Sequence, residues 1–254
     1  ASATAFWTVV ALLVLAAVPV LYALPLFTGR ALDARLAYDV PGSWRAALAD
    51  ADRTTPPNFR LVVLPGQLFG WYRWGETVDT VAPALTRRPV LTRTVVRYAD
   101  PRSAQLQAAV DDTIQQARLV PNQLEPLLRL MGVGQLLVAA DGRTDQSGET
   151  GPAEIAGTLN VGYPQRRRAQ SYGRLRPYIP EAGRGGGGVV VPDLARYPVR
   201  NPGPGIVRVH SRGGATVLDG DADGVVSLAG AGRLDPQRAL FFAGDLGRAA
   251  VRAQ

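Results

Sequence analysis

The chain has 254 residues, a net charge of +7 and no cysteine. All 28 of its basic residues are arginine, and its single histidine is His210. Without cysteine, disulfide frameworks, zinc fingers and thiol catalysis are excluded, and one histidine without partners makes neither a His-rich metal site nor a Ser-His-Asp triad. Arginine without lysine, with abundant Ala, Gly, Pro and Val, reads as the product of a GC-rich genome, so the basic excess is in part mutational. No nucleic-acid-binding motif accompanies it, so no nucleic-acid partner is expected.

Residues 5–27, AFWTVVALLVLAAVPVLYALPLF, carry no charged side chain. A hydrocarbon layer ~30 Å thick needs about 20 apolar residues in a helix. Residues 1–29 therefore read as a transmembrane helix in a lipid bilayer, with Trp7 and Tyr22 near its two ends as interface aromatics. A signal peptide would show a basic start and a shorter apolar run. A buried core helix of this length would show a polar face. Prolines 19 and 25 are tolerated in a bilayer helix.

Residues 30–145 predict an α/β domain. Pro41 to Asp50 reads as a helix with Trp44, Ala47 and Leu48 on one face. Phe59 to Leu64 reads as a buried strand closed by Pro65-Gly66. Residues 90–98, VLTRTVVRY, alternate like a half-buried strand. Asp100-Pro101 is a helix start, with residues 101–118 to follow, and a second helix is expected at about 123–131, ending at Gly132. Residues 135–142, QLLVAADG, form a further apolar strand and turn, and Asp111 and Asp112 face solvent by default. Ligands in such domains sit at the carboxyl ends of the strands.

Residues 146–187 read as a polar, Gly-rich linker, with GRGGGG at 183–188 its most flexible part. Within and beside it lie Arg166, Arg167, Arg168, Arg174 and Arg176, either a phosphate-attracting cluster for lipid headgroups or an anionic substrate, or a solvated loop. Residues 188–254 read as a smaller β-rich region. Short strands are expected at VVVP, at GIVRVH with His210, at ATVL and at 239–245, with a short helix at 225–234.

Two motifs offer chemistry. Trp71, Tyr72, Arg73, Trp74, Glu76 and Asp79, with Phe69 before them, combine flat rings with guanidinium and carboxylate groups. That is what carbohydrate recognition needs. The same aromatics could instead plug the core or rest on a membrane interface. Asp219, Asp221 and Asp223, with Gly224, match positions 1, 3, 5 and 6 of a calcium loop. Gly230 stands where the bidentate glutamate belongs, so the alternative is an acidic turn. No phosphate loop, nucleophile elbow or paired-histidine zinc motif occurs, and no catalytic residue is identified.

Taken together, the apolar helix, DVPGSWRAALAD, RLVVLPGQLFGWYRWGETVD, LLRLMGVGQLLVAADG and DGDADGVVSLAGAGRLDPQRALFFAGD resemble actinobacterial α-(1→3)-arabinofuranosyltransferases of the AftD type, membrane glycosyltransferases of the GT-C class. The most specific element is the loop of Pro65, Gly66, Phe69, Tyr72, Arg73, Trp74 and Gly75. The 142–187 stretch has no counterpart in it. The resemblance implies a late membrane helix followed by an extracytoplasmic domain at the plasma membrane. It also implies a lipid-phosphate-linked sugar donor and a cell-wall polysaccharide acceptor handled by the whole enzyme. The catalytic acid would lie outside this segment, which itself requires no cofactor. The alternative is a non-catalytic envelope protein with one anchor, displaying a glycan- or protein-binding module.

Overall fold

The computed structural model describes residues 3–28, 38–93, 100–164, 169–178, 188–200, 202–210 and 214–246. It divides into two compact units, Ala1–Asp39 and Val40–Gln254.

The first unit carries helix α1, Ala3–Phe27. Its stretch Ala5–Phe27 has a mean hydropathy of 2.6 and no part buried, so it is long and apolar enough to cross a membrane. Phe6 and Trp7 meet edge to face, with centroids 5.7 Å apart. Thr28 Oγ1 donates to the Leu24 carbonyl at 2.9 Å, satisfying one of the last orphan acceptors.

The second unit is a three-layer α/β/α fold. Its elements in order are α2 (Gly42–Thr54), β1 (Arg60–Leu64), β2 (Gly70–Tyr72), β3 (Gly75–Thr77), α3 (Ala82–Leu85), β4 (Val90–Leu91), α4 (Pro101–Gln115), α5 (Leu124–Leu130) and β5 (Val133–Ala139). There follow α6 (Thr144–Ser147), α7 (Pro152–Gly162), β6 (Gln170–Tyr178), β7 (Val189–Pro198), β8 (Thr216–Leu218), α8 (Ala222–Gly230) and β9 (Leu240–Phe242). The main sheet has the order β4-β1-β5-β7-β6. Strands β4, β1 and β5 are parallel, and β7 and β6 add antiparallel strands.

Strand β1 explains the layering. Successive side chains of a strand point to opposite faces. Val62 and Leu64 enter a core with α4, α5, α7 and α8, while Leu61 and Val63 enter a second core with α2, Tyr72 and α3. The α2 stripe predicted from sequence is the buried one: Trp44, Ala47 and Leu48 are joined by Ala51. Helix α4 begins as expected, because Asp100 accepts from the Arg102 and Ser103 amides and Pro101 follows. Helix α5 is followed by Gly132, whose φ of +67° takes the left-handed turn that closes the helix.

The linker expectation for 146–187 does not describe residues 152–162 or 170–178. The first form α7, which buries Ile155 and Leu159, and the second form β6, the edge strand of the main sheet. Helix α7 buries only a narrow stripe, and β6 buries almost no side chain and is held by its ladder to β7. In α7 the buried positions 155, 158, 159 and 162 have helical spacing, but Thr158 and Gly162 hide it in an apolar pattern, and β6 shows no alternation. All of GRGGGG except Gly188 lies outside the described residues, as do Arg166, Arg167 and Arg168. So do residues 94–98 of the strand expected at 90–98, of which β4 is the described part.

The expected strand at GIVRVH joins no sheet. Its residues alternate as foreseen, with Val207 and Val209 outward. Arg208, though, turns inward to the Pro236 and Gly205 carbonyls, and His210 Nδ1 lies 2.9 Å from the Gln237 carbonyl oxygen. Side-chain anchors on backbone take the place of a ladder. Strands β8 and β9 pair in parallel with α8 between them, and α8 packs Val225, Val226 and Ala229 into the core.

Candidate functional site at the strand ends

Strands β4 and β5 flank β1 on opposite sides, so the chain reverses its direction of winding at β1. Such a switch point opens a crevice at the carboxyl ends of the strands. Residues Pro65-Gly66-Gln67 leave β1 there, and Ala140-Asp141-Gly142 leave β5.

The aromatic hairpin β2–β3 closes over this point. Tyr72 bridges to Gly142, and the Arg73 amide donates to the Asp141 carbonyl at 2.9 Å. The Trp44 and Trp74 indoles both donate to Asp141 Oδ2 at 2.7 Å. Tyr72 stacks on Trp74 at 4.5 Å and meets Trp44 edge-on at 5.6 Å. Its hydroxyl is 3.1 Å from Thr80 Oγ1 and accepts from the Val81 amide. Tyr72 is therefore a core group, and Trp74 packs half-buried against it with its indole turned to a buried carboxylate.

A second buried carboxylate corrects the expectation for Asp111, which is 3% exposed rather than solvent-facing. Its Oδ1 accepts from the Gly66 amide at 2.7 Å and its Oδ2 from Gln115 Nε2 at 2.6 Å. Arg93 bridges it, at 3.3 Å, to the half-buried Asp112, at 2.9 Å. Any Cβ at position 66 would lie 2.7 Å from Asp111 Oδ2, so only glycine lets the β1 turn approach the carboxylate. Sequence alone gives no sign of this, because the partner amide lies 45 residues away.

Glu149 is the third member, accepting from Gln67 Nε2 at 2.9 Å. Burial raises all three carboxyls above the ordinary range, and Glu149 reaches about 7, its neighbour Asp111 adding to the rise. Gln67 Oε1 and Asp141 Oδ1 are buried without a hydrogen-bond partner. The adjoining cavity, lined by Trp44, Gln67, Tyr72 and Arg93 among others, is about 10 Å³, room for the centre of a single water. A sugar does not fit there. The crevice is filled by the protein's own indole, amide and guanidinium donors.

The raised Glu149 carboxyl predicts a pH effect with a definite sign. Between its ordinary value of 4.5 and about 7, the folded chain holds a proton that the unfolded chain has released. Stability therefore falls as pH rises through that window. Glu149→Gln should remove the fall, adding about 1–2 kcal/mol at pH 8 after discounting for the partial exposure of the group, and little at pH 4. Urea denaturation of both forms across pH 4–8 measures it.

The remaining members of the predicted glycan set stay at the surface. Trp71 is half-buried, Phe69 is 45% exposed, and Arg73, Glu76 and Asp79 are exposed. Arg73 lies over the Tyr178 ring at 5.0 Å, and Glu76 sits 3.8 Å from Arg143. The structure thus splits the motif: Tyr72 is buried and the Trp74 indole is tied inward to Asp141, Trp71 is half-buried, and Arg73, Glu76 and Asp79 are outside. At the other acidic motif, Asp221 caps α8, its carboxylate accepting from the Asp223 and Gly224 amides. Among the described residues, no group of three or more His, Asp or Glu side chains is placed to hold a metal ion.

Residues 2–254 match the family described as alpha-(1->3)-arabinofuranosyltransferase, N-terminal GT-C domain. The chain belongs to this family. Three solved structures of the arabinofuranosyltransferase AftD from Mycobacteria share its fold. One overlaps 86% of the present chain and 17% of its own, with a TM-score of 0.65 at 19% identity. Two classes of a mutant of that protein superpose with TM-scores of 0.61 and 0.62 at 19% and 20% identity, covering 87% and 85% of this chain and 18% and 17% of theirs. The chain thus spans less than a fifth of the length of these structures. No curated protein matches it significantly. The mixed α/β architecture expected from sequence is the one found.

Proposed function

We propose that this chain is the membrane-anchored, extracytoplasmic portion of an arabinofuranosyltransferase acting in cell-wall polysaccharide assembly. The chemical step belongs to parts of the enzyme outside this segment. One observation carries the reading: a wholly unburied apolar helix, Ala5–Phe27, stands before a domain whose fold is that of AftD. The closed crevice is consistent with it, since the buried carboxylates at the strand ends brace a turn and leave no room for substrate.

Glycan contact falls to the outer face of the hairpin. Trp71 and Phe69 offer rings for sugar C–H faces, and Arg73, Glu76 and Asp79 offer partners for hydroxyls. The donor of the whole enzyme is a lipid-phosphate-linked sugar, and the acceptor a cell-wall polysaccharide. Calcium at Asp219, Asp221 and Asp223 remains a lesser proposal, because Asp221 is already engaged as a cap.

The test uses the whole chain in lipid nanodiscs. Membranes carrying it should retain it through carbonate extraction, and a protease added outside intact cells should cut the domain. Titration with arabinan fragments should change tryptophan emission. Trp71→Ala should weaken that binding about tenfold, equivalent to ~1.4 kcal/mol, with an unchanged melting temperature. Trp74→Ala should instead lower the melting temperature, because its indole serves Asp141. Unaltered emission at saturating glycan would refute the glycan surface. Release by carbonate would refute the anchor.

A further inference from the structure

Three arginines meet at the end of the sheet opposite the aromatic hairpin. Arg60 opens β1, Arg129 stands in the last turn of α5 just before β5, and Arg208 lies on the segment after β7. Strands β1 and β5 are parallel, so their amino ends lie together here. The guanidinium groups converge on the carbonyls that close α5. Arg60 Nη1 donates to the Met131 carbonyl at 2.8 Å, and Arg208 Nη2 donates to the Arg129 carbonyl. Arg208 is fixed by further bonds to the Gly205 carbonyl at 3.1 Å and the Pro236 carbonyl at 2.8 Å. Its segment is tied to the approach of β1, since the Ile206 amide donates to the Asn58 carbonyl at 2.8 Å and Asn58 Nδ2 to the Pro204 carbonyl at 3.2 Å. All three arginines are half-buried.

Among the described residues, no acid answers this charge. Of the chain's 21 acidic residues all but Asp33 and Glu181 are described, and none of those described comes within ion-pair distance of Arg60, Arg129 or Arg208. Asp235, next to Pro236 in sequence, is turned to Arg238 at 3.3 Å. The end of a helix offers roughly half a negative charge, against three guanidinium groups. Burial, with Arg129 and Arg60 adding to it, holds Arg208 below the ordinary guanidinium range. Carbonyl anchoring accounts for Arg60 and Arg208 but not for Arg129. The Arg129 side chain donates no hydrogen bond among the described residues, and its Nε is buried without an acceptor. A cation withdrawn from water without a counter-charge is costly, and a buried donor without an acceptor marks a place for an ion. A mutational excess of arginine spreads over a surface and does not by itself gather three half-buried guanidinium groups at one helix end.

We propose that Arg60, Arg129 and Arg208 bind an oxyanion of the phosphate class at the amino ends of β1 and β5. The planar guanidinium fork matches phosphate oxygens two at a time. Arg129 supplies N–H groups that no described residue uses, Arg60 adds its Nε and second Nη, and Arg208 adds its charge from a fixed position. A phosphate has three strong acceptor oxygens and up to two negative charges, so it meets three cations more fully than a carboxylate does. The same chemistry belongs to free phosphate and to the phosphate of a lipid headgroup. The site is remote from the hairpin, and it stands or falls independently of glycan contact there.

The experiment uses the whole chain in a non-ionic detergent, with inorganic phosphate as the probe. The phosphorus NMR signal of phosphate should broaden on adding the protein, with a dissociation constant of about 1 mM or tighter. Phosphate at about 10 mM should raise the melting temperature by about 3–5 °C over sodium chloride of equal ionic strength. Arg129→Gln should weaken binding about tenfold. Because the Arg129 side chain donates to no described residue, that variant should melt in chloride no lower than the parent. Arg143→Gln is the control. It removes an equal charge just past the carboxyl end of β5, where Arg143 pairs with Asp145 at 3.3 Å, and it should bind phosphate as the parent does. A short-chain phosphatidic acid separates the two sources. Binding tighter than that of free phosphate supports the site as one for a lipid headgroup, and equal binding supports it as one for phosphate itself. No broadening with the parent overturns the proposal, as does equal weakening in Arg129→Gln and Arg143→Gln, which would mean that phosphate responds to net charge alone.

Discussion

Trp44→Ala is expected to cost about 3–5 kcal/mol, enough to unfold much of the population of a domain whose total stability is of order 5–15 kcal/mol. Trp44 is completely buried between α2 and the sheet, so truncation leaves an indole-sized hole lined by Leu61, Val63, Ala82 and Leu137. It also removes one of the two indole donors that neutralise the demand of Asp141 Oδ2, a carboxylate that burial already disfavours in its charged form. The two losses can be separated. Trp44→Phe keeps most of the ring and loses only the N–H, and should cost about 1–3 kcal/mol, the desolvation debt of an under-served buried acceptor. Urea denaturation followed by far-UV circular dichroism gives both values. Equal costs for the two variants would show that packing contributes nothing. A Trp44→Phe protein as stable as the parent would show that Asp141 does not need the second indole.

The same residue shows what a sequence reader could and could not see. That Trp44, Ala47 and Leu48 share a helix face follows from a period of 3.6, and the structure buries all three. That the Trp44 indole shares a carboxylate with Trp74 does not, because the contacts to Asp141 span 97 and 67 residues and no local pattern reports them. The hairpin stands out in the sequence because four aromatics in six positions are rare. Which rings face inward was decided by the pairing of Tyr72 with Gly142. The burial of Asp111 is hidden from the sequence for a related reason. A carboxylate on a helix is assigned to water unless its partners are known, and these are a turn amide and an arginine from other elements. The β6 strand has no sequence signal because an edge strand that buries almost nothing carries no alternation. What was legible was periodic and local. What was hidden was polar and distant.

Arg196→Ala should also destabilise the domain, for an electrostatic reason. Arg196 lies on β7 with only 5% of its surface exposed, and its guanidinium joins three elements. It pairs with Asp50 of α2 and donates to Thr54 Oγ1 at 2.9 Å and to Gln135 Oε1 of β5 at 3.0 Å. Its Nε donates to the Tyr172 hydroxyl of β6 at 3.2 Å. Asp50 is held below the ordinary carboxylate range, first by the Tyr172 hydroxyl and then by Arg53 and Arg196. Removing the arginine leaves the buried Gln135 amide oxygen short of a donor and Asp50 with Tyr172 and Arg53 alone, at a cost of about 1–3 kcal/mol. The pair itself is worth less than that figure suggests, because both ions were desolvated to form it. The double variant Arg196→Met, Asp50→Leu should therefore recover much of the loss. The pH dependence provides an independent sign. A depressed carboxyl contributes stability above its unfolded value of 3.8, and that contribution disappears as pH falls through the lower folded value. The parent should lose this increment on acidification below pH 4, and the double variant should not. If Arg196→Ala alone were as stable as the parent, α2 would need no arginine tie to the antiparallel half of the fold, the Tyr172 hydroxyl on Asp50 and the packing of Leu194 being enough.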